Sequence, residues 1–173
     1  MTWLSLYNLI SLVVIFLLQY FQNGDTTTII LSAPYTIGWV GIGFSRDGMM
    51  VGSSAMVGWI TKHGHANMKQ FYLRGRKSSE VKIDKGELPL NNIPSAVATN
   101  GAEIHMAFQL QMTTPFQKQP ILLAFGSKYP QNHHLSKHED KTAIVFDFSA
   151  GLNQFSITLT AVQQICHFII CCT

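Results

Sequence analysis

The sequence predicts an all-β sandwich of antiparallel strands. Short apolar or alternating runs are separated by breaks that contain Gly, Pro and Asn, and no stretch shows a convincing amphipathic helical period. The segment Glu103–Gln111, EIHMAFQLQ, alternates strictly between apolar and polar residues, which is typical of a strand with one face in a core. Many short strands without helices favour two packed sheets around one core.

The strand-like runs follow one another between residues 26 and 148. The first, Thr26–Ser32, is rich in β-branched residues and is interrupted by Ala33-Pro34. The segment Gly86–Asn100 is predicted to be mostly connection, and Ser127–Lys141 is predicted to be a polar loop with three histidines. The remaining predicted strands are Ile37–Phe44, Ser54–Thr61, Met68–Leu73, Glu103–Gln111, Pro120–Gly126 and Thr142–Phe148, with Val81 and Ile83 in a short edge strand.

Composition limits the class of partner. The 173 residues suffice for one domain with a real core, and the net charge of +3 is too mild to indicate nucleic-acid binding. The 12 basic and 9 acidic side chains all lie between Asp25 and Asp147, so a charged central region is flanked by two apolar ends. The charged central region therefore runs from Asp25 to Asp147.

The two apolar ends have different interpretations. Residues 1–24 form an apolar, signal-peptide-like or anchor segment, because Leu9–Leu18 has the length of a signal-peptide core. A basic segment before it and a clear cleavage site after it are missing, so a buried strand remains the alternative. Residues 152–173 form an apolar tail that is too short for a multi-helix membrane cytochrome.

Known catalytic patterns are not found in the sequence. The three cysteines, Cys166, Cys171 and Cys172, all lie in the last eight residues, so the central domain has no internal disulfide framework. Their spacing, with His167 included, matches no standard zinc pattern. The sequence contains no activated-serine elbow, P-loop or dinucleotide fingerprint. The sequence therefore singles out no catalytic set of residues.

The stretch Gly38–Trp59 is the most informative part of the sequence for a binding site. It reads GWVGIGFSRDGMMVGSSAMVGW. Its glycines alternate with strand-forming residues, an arrangement that strands tolerate where another group approaches closely. Arg46-Asp47-Gly48 is typical of a tight turn. Methionines and small residues follow the turn and lead into a second strand. This arrangement predicts one wall of a flat, apolar pocket.

Several separated blocks carry a family resemblance. GWVGIGFS, MVGSSAMVGW, FYLRG, the AFQL of residues 107–110, and His138 followed by the DFSAG of residues 147–151 occur in this order. Together they resemble a DOMON domain of the plant type that is found beside cytochrome b561 membrane domains, here without the membrane part. The resemblance spans about Asp25–Gly151 and implies an immunoglobulin-like β-sandwich, with the apolar ends outside it.

The resemblance also implies a cofactor. Similar domains hold haem b between one methionine and one histidine, and the matching positions are Met50 and His138 as axial ligands of the haem iron. A thioether and an imidazole leave no open position on the iron, so such a site transfers electrons and does not bind oxygen. Other residues could replace these two ligands. They are Met49 and Met56 for the thioether, and His133 and His134 for the imidazole.

The implied partners are ascorbate and a membrane cytochrome b561. The corresponding location is the secreted or extracellular face, or a membrane-associated state. The alternative is a DOMON module without haem that binds a sugar or a phenolic ligand in the same slot. A third hypothesis is a truncated product in which missing N-terminal strands leave an open sheet edge.

Two other groups of polar residues could contribute to binding. Arg74, Arg76 and Lys77 are interpreted either as a solvated loop or as contacts for haem propionates or an acidic electron partner. His63-Gly64-His65 resembles a metal pair, but no nearby carboxylate or thiol completes it. Six aromatic residues are predicted either to pack in the core or to line a haem face: Trp39, Phe44, Trp59, Tyr72, Phe108 and Phe125.

Overall fold

The computed structural model describes residues 13–34, 38–114, 116–131, 134–150 and 154–160. It contains eleven strands in these ranges: β1 Val13–Asn23, β2 Thr26–Pro34, β3 Trp39–Phe44, β4 Ser53–Ile60, β5 Ala66–Leu73, β6 Val81–Ile83, β7 Ala96–Asn100, β8 Glu103–Gln111, β9 Lys118–Gly126, β10 Asp140–Asp147 and β11 Gln154–Thr160. Sheet I has the order β11-β1-β2-β8-β7, and sheet II has the order β10-β9-β3-β4-β5-β6. All strand pairs are antiparallel, so the predicted antiparallel β-sandwich is confirmed.

The main core lies between the two sheets. Strand β8 shows how the sequence produces it, because the apolar residues of its alternating pattern are buried and the residues between them are not. Gly58 of β4 marks a close approach of the sheets. A Cβ atom at Gly58 would come within 2.8 Å of the Met106 side chain on β8.

Most predicted strands are found within one or two residues of their expected bounds. The predicted edge strand is β6, which lies at one edge of sheet II. Strand β7 is an exception, because it lies inside Gly86–Asn100, the segment predicted to be mostly connection. Across the described ranges, helical turns occur only at Ser78–Glu80 and Phe148–Ala150, both of the 3-10 type. No helix in these ranges is both long and apolar enough to cross a membrane.

Both ends of the sandwich extend beyond the predicted domain of residues 25–151. Strand β1 falls in the segment that was predicted to lie outside the domain, and it pairs with β2 on one side and β11 on the other. Phe16 and Leu18 of β1 are fully buried, and the Tyr20 hydroxyl donates a hydrogen bond to the Phe148 carbonyl at 2.8 Å. An apolar run whose alternate residues face a core forms a strand, and this is the alternative left open for the segment. Residues 1–12 and 161–173, with all three cysteines, lie outside the described residues.

Strand β1 provides a test of this arrangement. We expect Leu18→Ala to lower the free energy of unfolding by about 2–5 kcal/mol, because Leu18 is completely buried between the sheets. Phe21→Ala in the same strand is the matched control, because 57% of the Phe21 surface is exposed. Urea unfolding of both variants measures the difference. Equal destabilisation in the two variants would show that β1 does not pack as described.

Candidate functional site

Sheet II is apolar on the face that points away from sheet I. Each residue of β3 is buried, as are the first seven residues of β4, so these strands are shielded from water on both sides. The buried residues on this second face form a separate cluster, here called the outer cluster: Trp39, Ala55, Val57, Trp59, Phe71, Leu73, Val81 and Leu135. An apolar sheet face must be shielded from water. Leu135 contributes to this shielding from the connection between β9 and β10, not from a strand. The non-strand segments that shield this face are called the cover.

Small residues form the centre of this face. Gly41 lies opposite Ala124 in the β3–β9 pair, and Gly43 lies opposite Ala55 in the β3–β4 pair. A Cβ atom added at Gly41 or Gly43 would come within 3.3 Å of a neighbouring side chain. The side chains of Val57 and Leu122 therefore pack close to these two glycines.

The Trp39 indole fixes one part of the cover. A Cβ atom at Gly126 would lie 2.3 Å from Trp39 Nε1, so the indole occupies the space above this glycine. The same Nε1 donates a hydrogen bond to Ser136 Oγ at 2.9 Å, and Ser136 Oγ donates to the Lys128 carbonyl at 2.9 Å. These bonds tie the β9–β10 connection to strand β3.

A second hydrogen bond joins the β9–β10 connection to the β5–β6 connection. Ser78 Oγ donates to the Leu135 carbonyl at 2.7 Å. The β9–β10 connection begins at the end of sheet II where Trp39 pairs with Gly126, and the β5–β6 connection begins at the opposite end. The β9–β10 connection therefore crosses the outer face of sheet II.

Met50 lies in the β3–β4 connection, and its half-buried side chain packs against the outer cluster. Hydrogen bonds hold the residue before it. The Met49 N–H donates to Asp47 Oδ1 at 2.9 Å, and the Met49 carbonyl accepts from Ser45 Oγ and from Ser53 Oγ, each at 2.8 Å. The Met49 N–H and the Ser45 hydroxyl, which also donates to Asp47 Oδ1 at 3.1 Å, lower the pKa of Asp47 because both stabilise its carboxylate.

His138 lies three residues after Leu135 and is half-buried. Desolvation lowers its pKa from the ordinary value of 6.5, and the positive charges of Lys141 and Lys137 lower it further. Asp140 acts in the opposite direction with a smaller effect. The imidazole is therefore neutral at neutral pH, which is the form that can bind a metal ion.

The structure places the backbones of the two predicted ligands near different ends of sheet II: Met50 follows the end of β3, whereas His138 precedes β10, where the Glu139 N–H donates to the Phe125 carbonyl at 2.8 Å. Met50 contacts the outer cluster, and His138 belongs to the connection that covers it. The alternative ligands have other environments. Met49 is 57% exposed, Met56 is buried between the two sheets, and His134 is exposed. His133 lies outside the described residues.

The other predicted groups are divided between the core and the surface. Trp39 and Trp59 belong to the outer cluster, whereas Phe44, Phe108 and Phe125 belong to the core between the sheets, and Tyr72 is half-buried. The remaining candidates, His63, His65, Arg74, Arg76 and Lys77, are exposed. Among the described residues, His, Cys, Asp and Glu form no group of three or more that could hold a metal ion.

No local sequence pattern indicated which residues hold the cover in place. Ser78 and Ser136 each bond to groups more than 50 residues away along the chain. Ser45 and Asp47 lie in a predicted turn, and only the structure shows that their side chains hold Met49. The Asp-Gly pair of this turn was the one available sign of local hydrogen bonding.

Comparison with known proteins identifies the family. The family model of the DOMON domain matches residues 14–127. The chain belongs to the DOMON domain family. The match begins inside β1, in agreement with the position of that strand in the sandwich.

This DOMON domain is similar to two curated proteins of Arabidopsis thaliana, each named as a cytochrome b561 and DOMON domain-containing protein. One is 48% identical over 155 residues, which cover 88% of this chain and 39% of the relative. The other is 36% identical over 142 residues, which cover 79% of this chain and 38% of the relative. The chain therefore spans less than half the length of either relative.

Two solved structures share the fold of this DOMON domain. The cytochrome b domain of pyranose dehydrogenase from Coprinopsis cinerea has a TM-score of 0.54 at 17% identity, covering 71% of this chain and 68% of that one. The cytochrome domain of cellobiose dehydrogenase from Myriococcum thermophilum has a TM-score of 0.53 at 11% identity, covering 71% of this chain and 66% of that one. At these identities the similarity establishes the fold alone.

The hydrogen bonds around Met49 lead to a prediction about the loop that carries Met50. We expect Asp47→Ala to accelerate amide hydrogen exchange at Met49 and Met50 severalfold, because the side-chain acceptor of the Met49 N–H is lost. Asp47→Asn is the control, since its amide oxygen can accept the same bond. Hydrogen-exchange mass spectrometry of residues 45–53 measures both variants. Similar protection in Asp47→Ala and the parent would contradict this role.

The burial of His138 leads to a prediction about pH. We expect the His138 imidazole of the haem-free protein to titrate with a midpoint below 6.5, because burial and two lysines disfavour its protonation. A histidine with a lowered folded-state pKa adds stability above the unfolded-state pKa and loses it as the pH falls through the folded-state pKa. NMR titration of the His138 ring protons measures the midpoint. A midpoint at or above 6.5 would contradict its burial under the cover.

Proposed function

We propose that this DOMON domain is an extracytoplasmic electron-transfer domain that holds one haem b between Met50 and His138. One observation carries the proposal. The second face of sheet II is apolar and buried, and its cover carries a thioether and a desolvated, neutral imidazole. A haem with these two ligands supplies a one-electron couple without an open coordination position.

The residue types of the outer face fit a haem. A flat macrocycle needs an apolar surface with little side-chain relief, and the Gly41, Gly43, Ala55 and Ala124 positions supply it at the centre of sheet II. Trp39, Trp59 and Phe71 supply apolar surface beside it and keep water away. The donor chemistry fits as well, since a methionine and a neutral histidine are common axial ligands of haem iron.

Hydrogen bonds hold the two connections that carry Met50 and His138, and this supports their proposed role as ligands. Hydrogen bonds to the Met49 backbone on one side, and the Trp39–Ser136 and Ser78–Leu135 bonds on the other, restrict how far the two ligand-bearing segments can move. A ligand set that is held before binding loses less conformational freedom when the cofactor enters. In this proposal the chain holds the two ligands in position, excludes water from the haem site and supplies a neutral imidazole.

The names of the relatives support a further part of the proposal. Both Arabidopsis relatives are named for cytochrome b561 together with a DOMON domain. We infer that this domain passes electrons between ascorbate and a membrane cytochrome b561, at the extracellular face or while associated with the membrane. It would act as an electron carrier, and oxidoreductase activity would need the partner.

Haem uptake by the full chain tests the ligand assignment. We expect the parent with added haemin to show sharp low-spin bands that change on reduction with ascorbate. We expect Met50→Ala and His138→Ala to lose these low-spin bands, because each variant removes one axial ligand. The matched controls are Met49→Ala and His134→Ala, which remove exposed members of the same residue types and should keep the bands. Visible absorption spectra of all five proteins provide the measurement.

Other spectral outcomes would change the assignment. Loss of the bands in Met49→Ala or His134→Ala, with retention in the neighbouring variant, would move the ligand to that residue. Failure of a well-folded parent to take up haem would refute the proposal. The alternative module that binds a sugar or a phenolic compound would then be examined by ligand titration.

A further inference from the structure

Positive charge is confined to one half of the sandwich. All twelve Lys and Arg residues of the chain lie within residues 46–85 and 118–141, which form most of sheet II and its connections. The strands of sheet I contain no Lys or Arg. Within residues 13–34 and 96–111, Asp25 and Glu103 are the Asp and Glu residues. The molecule therefore has a positive side and a weakly negative side.

Five of the cations lie on the β5–β6 and β9–β10 connections. They are exposed, and we call them the basic rim: Arg74, Arg76, Lys77, Lys128 and Lys137. The Ser78–Leu135 hydrogen bond joins these two connections, so the five side chains belong to one continuous surface. The basic rim therefore lies on the side of the molecule that carries Met50 and His138.

The basic rim is not neutralised within the described part of the chain. The Lys and Arg ion pairs there are Arg46–Glu87 and Lys69–Asp84, and neither involves a rim residue. Glu80 is close to the rim, but its carboxylate accepts the Lys77 N–H at 3.0 Å as part of the local turn. Exposed like charges that form no ion pair raise the local positive potential and attract an acidic surface.

Two exposed apolar side chains adjoin the basic rim. Met49 and Val51 are 57% and 46% exposed and lie on either side of Met50. The Gly52 N–H donates to the Leu73 carbonyl at 2.8 Å, which places their loop beside the residue that precedes Arg74. Apolar side chains next to a charged border are typical of a protein docking surface.

We propose that the basic rim, together with Met49 and Val51, is the docking surface for an acidic protein. The cations are distributed over two connections and are exposed, so they suit an extended partner better than a small anion in a pocket. Glu139 and Asp140 follow Lys137 directly. A flat anionic membrane would repel these carboxylates, whereas a protein surface of mixed charge can complement them.

Docking on this surface would place the partner over the cover of the proposed haem site. The existence of the surface does not depend on haem, but the exchange of electrons across it rests on the proposed function. Charge-steered contacts of this kind form quickly and separate quickly, which suits a protein that must release its partner after each transfer.

A binding experiment with the full chain tests the docking surface. The probe is the soluble domain of cytochrome b5, a small acidic redox protein, and cytochrome c serves as a basic control probe. We expect Arg74→Gln/Arg76→Gln to raise the Kd for cytochrome b5 by about 3- to 10-fold at low salt. The difference should disappear as salt is raised to about 0.5 M, because screening removes the attraction. Calorimetric titration provides the measurement.

The matched control removes the same net charge elsewhere. Lys62 lies in the β4–β5 turn, at the other end of β5 from Arg74, and Lys118 lies on β9, three strands away from β5. We expect Lys62→Gln/Lys118→Gln to change the Kd by less than about twofold. An equal rise in Kd for both double variants would show that binding depends only on net charge, and it would overturn the proposal.

Four further outcomes separate the proposal from its competitors. A parent that does not bind cytochrome b5, or that binds cytochrome c equally well, would overturn it. Binding to phosphatidylserine-containing vesicles without binding to cytochrome b5 would assign the surface to a membrane instead. Titrations with haem-free and haemin-treated protein distinguish the two hypotheses, since binding without haem uptake would support the surface and refute the haem site.

Discussion

The central constraint on this structure is that sheet II is apolar on both faces. One face packs against sheet I, as in any sandwich, and the other must be kept from water by segments that are not strands. Leu135 and the half-buried Met50 take part in that cover. The residues proposed to bind a cofactor are therefore part of the cover that keeps the outer cluster out of water.

Among the described residues, two side-chain hydrogen bonds join the β9–β10 connection to other segments. Trp39 Nε1 donates to Ser136 Oγ, Ser78 Oγ donates to the Leu135 carbonyl, and each such bond contributes roughly 1 kcal/mol to stability. Packing of Leu135 adds an apolar contribution. A cover held in this way has a defined position but can separate from the sheet at a lower cost than unfolding of the sandwich. Entry of a flat ligand between cover and sheet needs this property.

The sequence predicted the parts of the fold that depend on local pattern. The alternation in Glu103–Gln111 located β8, and the break after Ser32 located the end region of β2. Strand β7 has the short sequence AVATN, which contains little apolar periodicity, and it is defined by its pairing with β8. Pairing between distant segments cannot be read from local residue types.

The apolar ends show the same difficulty. A run such as the one ending at Leu18 has the same composition whether it is a targeting segment or a buried strand. The distinction comes from its partners, because Leu18 pairs with Leu31 on β2 and β1 also pairs with β11. The candidate site was located through family resemblance at two positions. Its supporting hydrogen bonds could not be located, since they join residues up to 97 positions apart.

The separation of charge is consistent with the position of the site. A site buried under a cover exchanges electrons with another protein only if that protein approaches from the covered side. Because sheet I carries no Lys or Arg and the connections over sheet II carry the basic rim, an acidic protein is attracted to the covered side and not to the opposite face. The apolar second face requires the cover, and the β9–β10 connection in that cover carries the proposed ligand His138 together with Lys128 and Lys137 of the basic rim. Orientation of a partner and shielding of the proposed site therefore both depend on the β9–β10 connection.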